Sequence, residues 1–526
     1  MRVRARTTVA AAALLFAAAA GTAHAGPASS APAGSDGQPV SLASPGDPYA
    51  NCNIKGDGSA TNWPSSEVEP YISVDPHHPH HVIGVFQQDR WADGGARGLT
   101  ATYSTDGTHF TESPLPFSHC APGGVPYQRA SDAWISVGPD GTAYSSGLVF
   151  DATDARNGVA AATSYDGGRT WRNTTQLIAD NDPAIGDDKN SVTADPVHPG
   201  TAYQVWDRID QVTTGAHPHF DGPAYISITH DHGRTWSTAQ PFVNTAAVPN
   251  TQTIGNVVVV NPRTGTLYDF FDSITYSDYN ATTPTDAHFA VVTSTDQGRT
   301  WSQPVKVATD TSVPEVDPNA PTDPAKALRA GGGLPAAAID PHSGELYVAY
   351  EGSEFTGGQY DAIQLVHSTD GGRTWSGPAR VNQAPGAPAF TPSITVDSHG
   401  TVALTYYDLR YLTPGNTTTL PAAAWLVTLP GGNPDYPTER RISPVFDWLQ
   451  APNAGGHFLG DYEGITSAGS QVRPILVETN DNAPLDSTDA YSGAFNAAVI
   501  GSGTVHSAAV PRAVAPRPAA RPVLRR

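Results

Sequence analysis

The chain has 526 residues, including 51 Gly, 47 Pro and one Met, and a formal charge of −21 at pH 7. That acidity excludes nucleic acid and anionic membrane surfaces as partners, since both would be repelled. Two cysteines are too few for a cysteine-rich metal site, and the many Gly, Pro, Thr, Val and Tyr residues point to strands joined by tight turns rather than to helices.

Arg2, Arg4 and Arg6 form a basic opening, followed by an apolar run from Val9 to Ala20 and a small-x-small site at Ala23-His24-Ala25. Residues 1–25 therefore read as an export signal, and the expected location is secreted. No later stretch is apolar enough for membrane insertion. Residues 26–66 read as a partly ordered N-terminal segment, 67–505 as one repeat domain, and the Pro/Ala/Arg-rich residues 511–526 as a disordered basic tail. Both ends are basic, so the body between them is more acidic than the whole. Cys52 and Cys120 are the only cysteines, and an oxidising compartment favours one disulfide over two separate thiols.

Four segments share one pattern: Ser164 to Trp171 (SYDGGRTW), Thr229 to Trp236 (THDHGRTW), Ser294 to Trp301 (STDQGRTW) and Ser368 to Trp375 (STDGGRTW). They recur at intervals of 65, 65 and 74 residues. Ser104 to Phe110 (STDGTHF) is a shortened fifth copy. The Asp and Ser/Thr oxygens can accept backbone N–H groups within a folded hairpin, and the Gly permits positive φ. A strand, a turn carrying Asp-Pro, Asn-Pro or Gly, and a second strand precede each box, as in Ser191 to Pro196 followed by Thr201 to Trp206. Copies starting near Ser393 and Ile465 lack the box. The grammar predicts an all-β chain: a β-propeller of four-stranded antiparallel blades, with seven blades favoured over six.

The box resembles the Asp-box, or BNR repeat, of sialidases and related propellers. In such a fold the box turns and the first turn of each blade share one face. Entries to the first strand and exits from the second converge on the other, which is the expected ligand face. The exits carry Asp89-Arg90, Asp207-Arg208, Asp272, Glu351, Asp408 with Arg410, and Glu478. The entries carry Glu67, Glu69, Arg129, Asp132, Asp187, Asp188, Lys189 and Asn256, and then Asp461-Tyr462-Glu463. Bracing of loops by these charges is one reading of the register; a ligand site is the other.

By the resemblance, Tyr462 corresponds to a tyrosine nucleophile, Glu463 to its activator and Asp93 to the general acid. Arg90, Arg208 and Arg410 would form the guanidinium cluster that grips a polar or anionic ligand, with Asp461, Glu351 and Glu478 lining the same mouth. One departure from the family is plain: Glu69-Pro70-Tyr71-Ile72 stands where sialidases carry an Arg-Ile-Pro motif. The implied function is a monomeric exo-glycosidase acting on glycans, requiring no cofactor, with Ca²⁺ as the ion that the Asp/Glu ring at the mouth could take. The alternative is a non-catalytic propeller that binds a glycan, a protein or another extracellular polar ligand. The tract Asp75 to His81 has metal-ligand residues, but falls in a first turn on the far face and reads as solvated.

Overall fold

A computed structural model describes residues 40–52, 60–212, 217–480 and 486–497. The expected signal and basic tail lie outside these residues. Among the described residues the chain is all-β, and its helical content is three 3₁₀ turns of three residues each: Pro324–Lys326, Pro430–Gly432 and Trp448–Gln450.

The strands fall into successive antiparallel meanders. One runs Arg129–Val137, Ala143–Phe150, Asn157–Ser164 and Arg172–Asp180, each strand paired with the next. Among the described residues, successive meanders, or units, begin at Asn62–Asp75, Arg129–Val137, Ile185–Ala194, Thr251–Val260, Ala336–Ile339, Ala389–Val396 and Gly464–Ala468. Each of these first strands contacts the next in that order, and the last contacts the first, so they close a ring. The final unit takes its outer strand from the other end of the chain: Ser41–Leu42 pairs antiparallel with Thr488–Ser492.

Hydrophobic clusters fill the spaces between neighbouring units. Ile83, Val85 and Leu99 of the first unit meet Ile135, Val149 and Ala160 of the second. Tyr203 and Val205 meet Val258 and Leu267; Phe270 and Val291 meet Leu346 and Val348. Ile72, Val82 and Phe86 close the ring against Ile475 and Ala490. Each fully buried Val, Leu, Ile or Phe contributes roughly 1.5–3 kcal/mol. Units are thus covered on both faces, which is why Leu346–Gly352 and Val402–Asp408 are buried at every residue instead of alternating.

The four full box turns share one hydrogen-bond set. The hydroxyls of Ser164, Thr229, Ser294 and Ser368 accept from the N–H of Gly168, Gly233, Gly298 and Gly372 at 2.9–3.0 Å. The carboxylates of Asp166, Asp231, Asp296 and Asp370 accept from the N–H of Thr170, Thr235, Thr300 and Thr374 at 2.9–3.0 Å. Gly168 (φ +86°) lies over Ile83 of the preceding unit, where a β-carbon would come within 3.2 Å of that side chain. The boxes therefore brace one unit on the last. Cys52 and Cys120 are bonded, with Cα atoms 5.6 Å apart, and anchor the N-terminal segment beside the first unit.

Candidate functional site

The first strands carry a repeated irregularity at the end where the chain enters them. Their pairing shifts register between Val68 and Tyr71, Ser131 and Trp134, Asp188 and Ser191, Ile254 and Val257, and Phe390 and Ser393. Within each shift one residue has positive φ: Glu69 (53°), Asp132 (56°), Lys189 (45°), Gly255 (72°) and Thr391 (55°). Glycine accepts this geometry freely. The other four hold it at a cost of roughly 1 kcal/mol or more each. Such bulges re-aim side chains, and here they bring three charged ones together.

Lys189 Nζ lies 3.7 Å from Glu69, 3.9 Å from Asp132 and 2.7 Å from Asp461. Asp461 also receives Arg329, whose Nη2 and Nε donate at 2.7 and 3.2 Å to its two oxygens. Arg329 and Arg90 both lie over the Phe458 ring, at 4.3 and 4.9 Å. Below them Tyr71 stacks on Trp134 at 3.7 Å, and Tyr462 tilts against Trp134 at 5.1 Å. A narrow cavity lined by Tyr71, Trp134, Val257, Ala336, Ile394 and Tyr462 runs inside the ring of first strands.

The charges of the mouth are set by one another. Burial pushes the Glu69 carboxyl up to about 7; Lys189 opposes this, and Asp132 and Asp461 add to it. Burial, then Asp132, raises Asp188 to about 6 against the pull of Lys189. Burial acts upward on Asp461 too, but Arg329 and Lys189 outweigh it and hold that carboxyl below the usual range. Lys189 itself stays charged, because Asp461, Asp132 and Glu69 overcome its desolvation.

Of the residues singled out in the sequence, Tyr462, Asp461 and Arg90 meet at this mouth. The Tyr462 hydroxyl donates to the Ala133 carbonyl at 3.2 Å, and burial followed by Glu69 and Asp132 pushes its phenol well above the ordinary range. The expected guanidinium cluster does not form. Arg208 is held by Asp187 (3.2 Å) and Asp210 (3.1 Å) of its own unit and by Asp180 (2.7 Å) at the end of the preceding one. Arg410 is held by Asp408 and Glu439, both at 2.6 Å, and covers Trp425. Arg90 donates to Gln87 at 2.6 Å. A guanidinium beside a local carboxylate of the same hairpin pairs there before it can reach the axis.

The remaining expected residues also stand apart. Glu463 is buried against the Tyr407 hydroxyl and the Val477 N–H, between the sixth and seventh units. Asp93 is half-exposed and paired with Arg129. Glu351 accepts from the Thr391 N–H at 2.7 Å, and Glu478 is buried near Asp489. The acids at the mouth face Lys189 and Arg329. Sequence reasoning named the entry residues Glu69, Asp132, Asp188 and Lys189 without assigning them the site. It missed Arg329 altogether. The signal for Arg329 was the length of the link between Thr309 and Ala336, compared with the short one between Val243 and Thr251.

No protein-family model and no curated protein sequence matches the chain. Solved structures do match. One is a protein of unknown function from Dyadobacter fermentans, with 13% identity and a TM-score of 0.45, over 81% of this chain and 94% of that one. Another is the α-L-arabinanase of Penicillium chrysogenum in complex with arabinobiose, with 12% identity and a TM-score of 0.43, over 66% and 94%. A third is the Trypanosoma rangeli sialidase, with 13% identity and a TM-score of 0.42, over 73% and 55%. At such identities the chemistry of the mouth rests on this chain's own residues.

Proposed function

We propose that this chain is a secreted seven-bladed β-propeller that hydrolyses a glycan at its axial mouth by carboxyl acid–base chemistry. The ring of seven first strands and the closing pair Ser41–Leu42 with Thr488–Ser492 support the blade count. The export-like residues 1–25 and the Cys52–Cys120 bond support secretion.

One arrangement carries the chemistry: two carboxyl groups in one mouth are pushed in opposite directions, Asp188 up by burial and Asp132, and Asp461 down by Arg329 and Lys189. Asp188, at about 6, is the proton donor to the leaving oxygen. Asp461, kept ionised by Arg329 and Lys189, is the carboxylate that activates water or stabilises the developing positive charge. Groups whose environments drive their titration apart are the working pair in glycoside hydrolysis. Trp134 and Tyr462 offer the apolar faces on which a sugar ring stacks. The substrate is an uncharged sugar. An anionic one would meet Glu69, Asp132, Asp188 and Asp461, and Arg208 and Arg410 are paired elsewhere.

The test is a screen of the processed protein against aryl glycosides and sialosides, repeated with Asp188→Asn, Asp461→Asn and Tyr462→Phe. Turnover of a neutral glycoside should fall at least a hundredfold in both Asn variants and survive in Tyr462→Phe, with unchanged circular dichroism. In the wild type it should decline as pH rises through about 6 and Asp188 loses its proton. Loss of turnover in Tyr462→Phe alone would move the nucleophile to that phenol, as the sialidase resemblance implies. A specific observation also favours a second reading. Asp461 already satisfies both Lys189 and Arg329, an arrangement that suits a binding module. Glycan retention without cleavage of any substrate would establish that reading in place of the first.

A further inference from the structure

Beside the axial mouth, three other carboxylates meet where the link after the fourth unit crosses the fifth. Glu315 lies on that link, between Val305–Thr309 and Ala336–Ile339. Glu351 is near the end of Leu346–Gly352, and Asp361 immediately precedes Ala362–Ser368, the strand paired with it. Each residue offers a carboxylate oxygen, and these oxygens all lie within 4.8 Å of one another.

Packing makes this more than a patch of surface charge. Glu351 is 1% exposed and Asp361 3%. Glu351 Oε2 and Glu315 Oε1 are buried and receive no N–H donor, and the two carboxyls face each other. Both face Gly332, lying 3.9 and 3.1 Å from where its β-carbon would stand. The other oxygens are held from behind: Glu351 Oε1 accepts from the Thr391 N–H at 2.7 Å, and Asp361 accepts from the Val313 N–H at 3.0 and 3.2 Å. Among the described residues none of the three forms an ion pair. Arg329 and Arg410, on neighbouring segments, are committed to Asp461, Asp408 and Glu439. Two buried carboxyls and a half-buried one, with no counter-ion beside them, are costly as carboxylates, so the cluster either holds protons or takes a cation.

We propose that Glu315, Glu351 and Asp361 form a binding site for one divalent cation, with Ca²⁺ as the occupant. The donors are all hard oxygens, and three carboxylates supply up to six contacts when bidentate, within the six to eight that Ca²⁺ takes. An adjoining cavity lined by Pro314, Glu315, Asp361 and Phe390 admits water for the remainder. The N–H groups of Thr391 and Val313 act as the outer partners that orient such ligands. The ion clips the link onto the fifth unit, and the same link carries Arg329 to Asp461. The site does not depend on the glycosidase reading.

The experiment uses the full processed chain, stripped with EDTA and dialysed. Tb³⁺ is titrated with excitation of tyrosine, because Tyr360 adjoins Asp361, and is then displaced with Ca²⁺. The expected result is saturable emission at one equivalent, reversed by Ca²⁺. A rise in melting temperature of roughly 3 °C should accompany Ca²⁺ at a hundred times its dissociation constant. Glu315→Gln and Asp361→Asn, with unchanged circular dichroism, should each weaken Tb³⁺ by about tenfold or more. Absence of saturable emission from the wild type would overturn the proposal. Emission and thermal shift retained in both variants would overturn it too, and would direct attention to Asp75, His78 and His81 on the opposite face.

Discussion

Replacing Lys189 by Met removes one buried ammonium and little else. Met keeps the apolar stem, and the backbone cost at φ 45° is common to both residues. Asp461 retains Arg329 after the change, while Glu69 and Asp132 lose the cation that lies 3.7 and 3.9 Å from them. Breaking a buried ionic network by removing one partner costs about 3–5 kcal/mol. Because Asp461 is not orphaned, the lower end applies, about 3 kcal/mol at pH 8. For an ordered body of this size that is a fall in melting temperature of roughly 3 °C. The deficit should shrink on acidification. Glu69 and Asp188 titrate in the folded state at about 7 and 6, above their unfolded values, so both take up protons between pH 8 and 5 and need the ammonium less. Calorimetry or urea unfolding of both proteins at the two pH values, in EDTA, measures this. A variant as stable as the wild type, or a deficit equal at both pH values, would refute the account of the mouth as a network organised by Lys189.

Two further outcomes are expected. Cys52→Ala with Cys120→Ala should cost roughly 4 kcal/mol in equilibrium unfolding, because the bond closes a separation of 68 residues; unchanged stability would show that the N-terminal segment is anchored without it. Burial, and then Asp489, raises Glu478 to about 8, so its contribution is full below the unfolded value near 4.3 and is lost as pH climbs through about 8. Melting should therefore be higher at pH 5 than at pH 8, and Glu478→Gln should flatten that slope. A slope unchanged in the variant would place the responsible groups elsewhere.

The box turns are legible in the sequence because their bonds are local. Ser164 reaches Gly168, and Asp166 reaches Thr170, each within four residues, so spacing alone encodes the geometry. The strand grammar is legible for a related reason, since each meander pairs neighbours in sequence. The site is less so. Arg208 and Arg410 share a register with axial residues, but each has a carboxylate two residues away that captures it, Asp210 and Asp408. Glu69, Asp132 and Lys189 turn inward only because bulges give them positive φ, and no residue type announces a bulge when Glu, Asp and Lys occupy it. Arg329 arrives from a link outside the repeat, where periodicity says nothing.

Closure of the ring by Ser41–Leu42 on Thr488–Ser492 sets the order of events during synthesis. Ser41–Leu42 leaves the ribosome before the other described strands and stays unpaired until Thr488–Ser492 has followed. Until then the outer edge of Thr488–Ser492, and the apolar face that Ile475 and Ala490 turn toward Ile72 and Phe86, have no partner. Six units can therefore assemble in sequence, each on the one before, while the seam remains a sticky edge. Long-range pairing is slow, so folding is expected to be slowest and most sensitive to concentration at that seam, where two segments more than four hundred residues apart must meet.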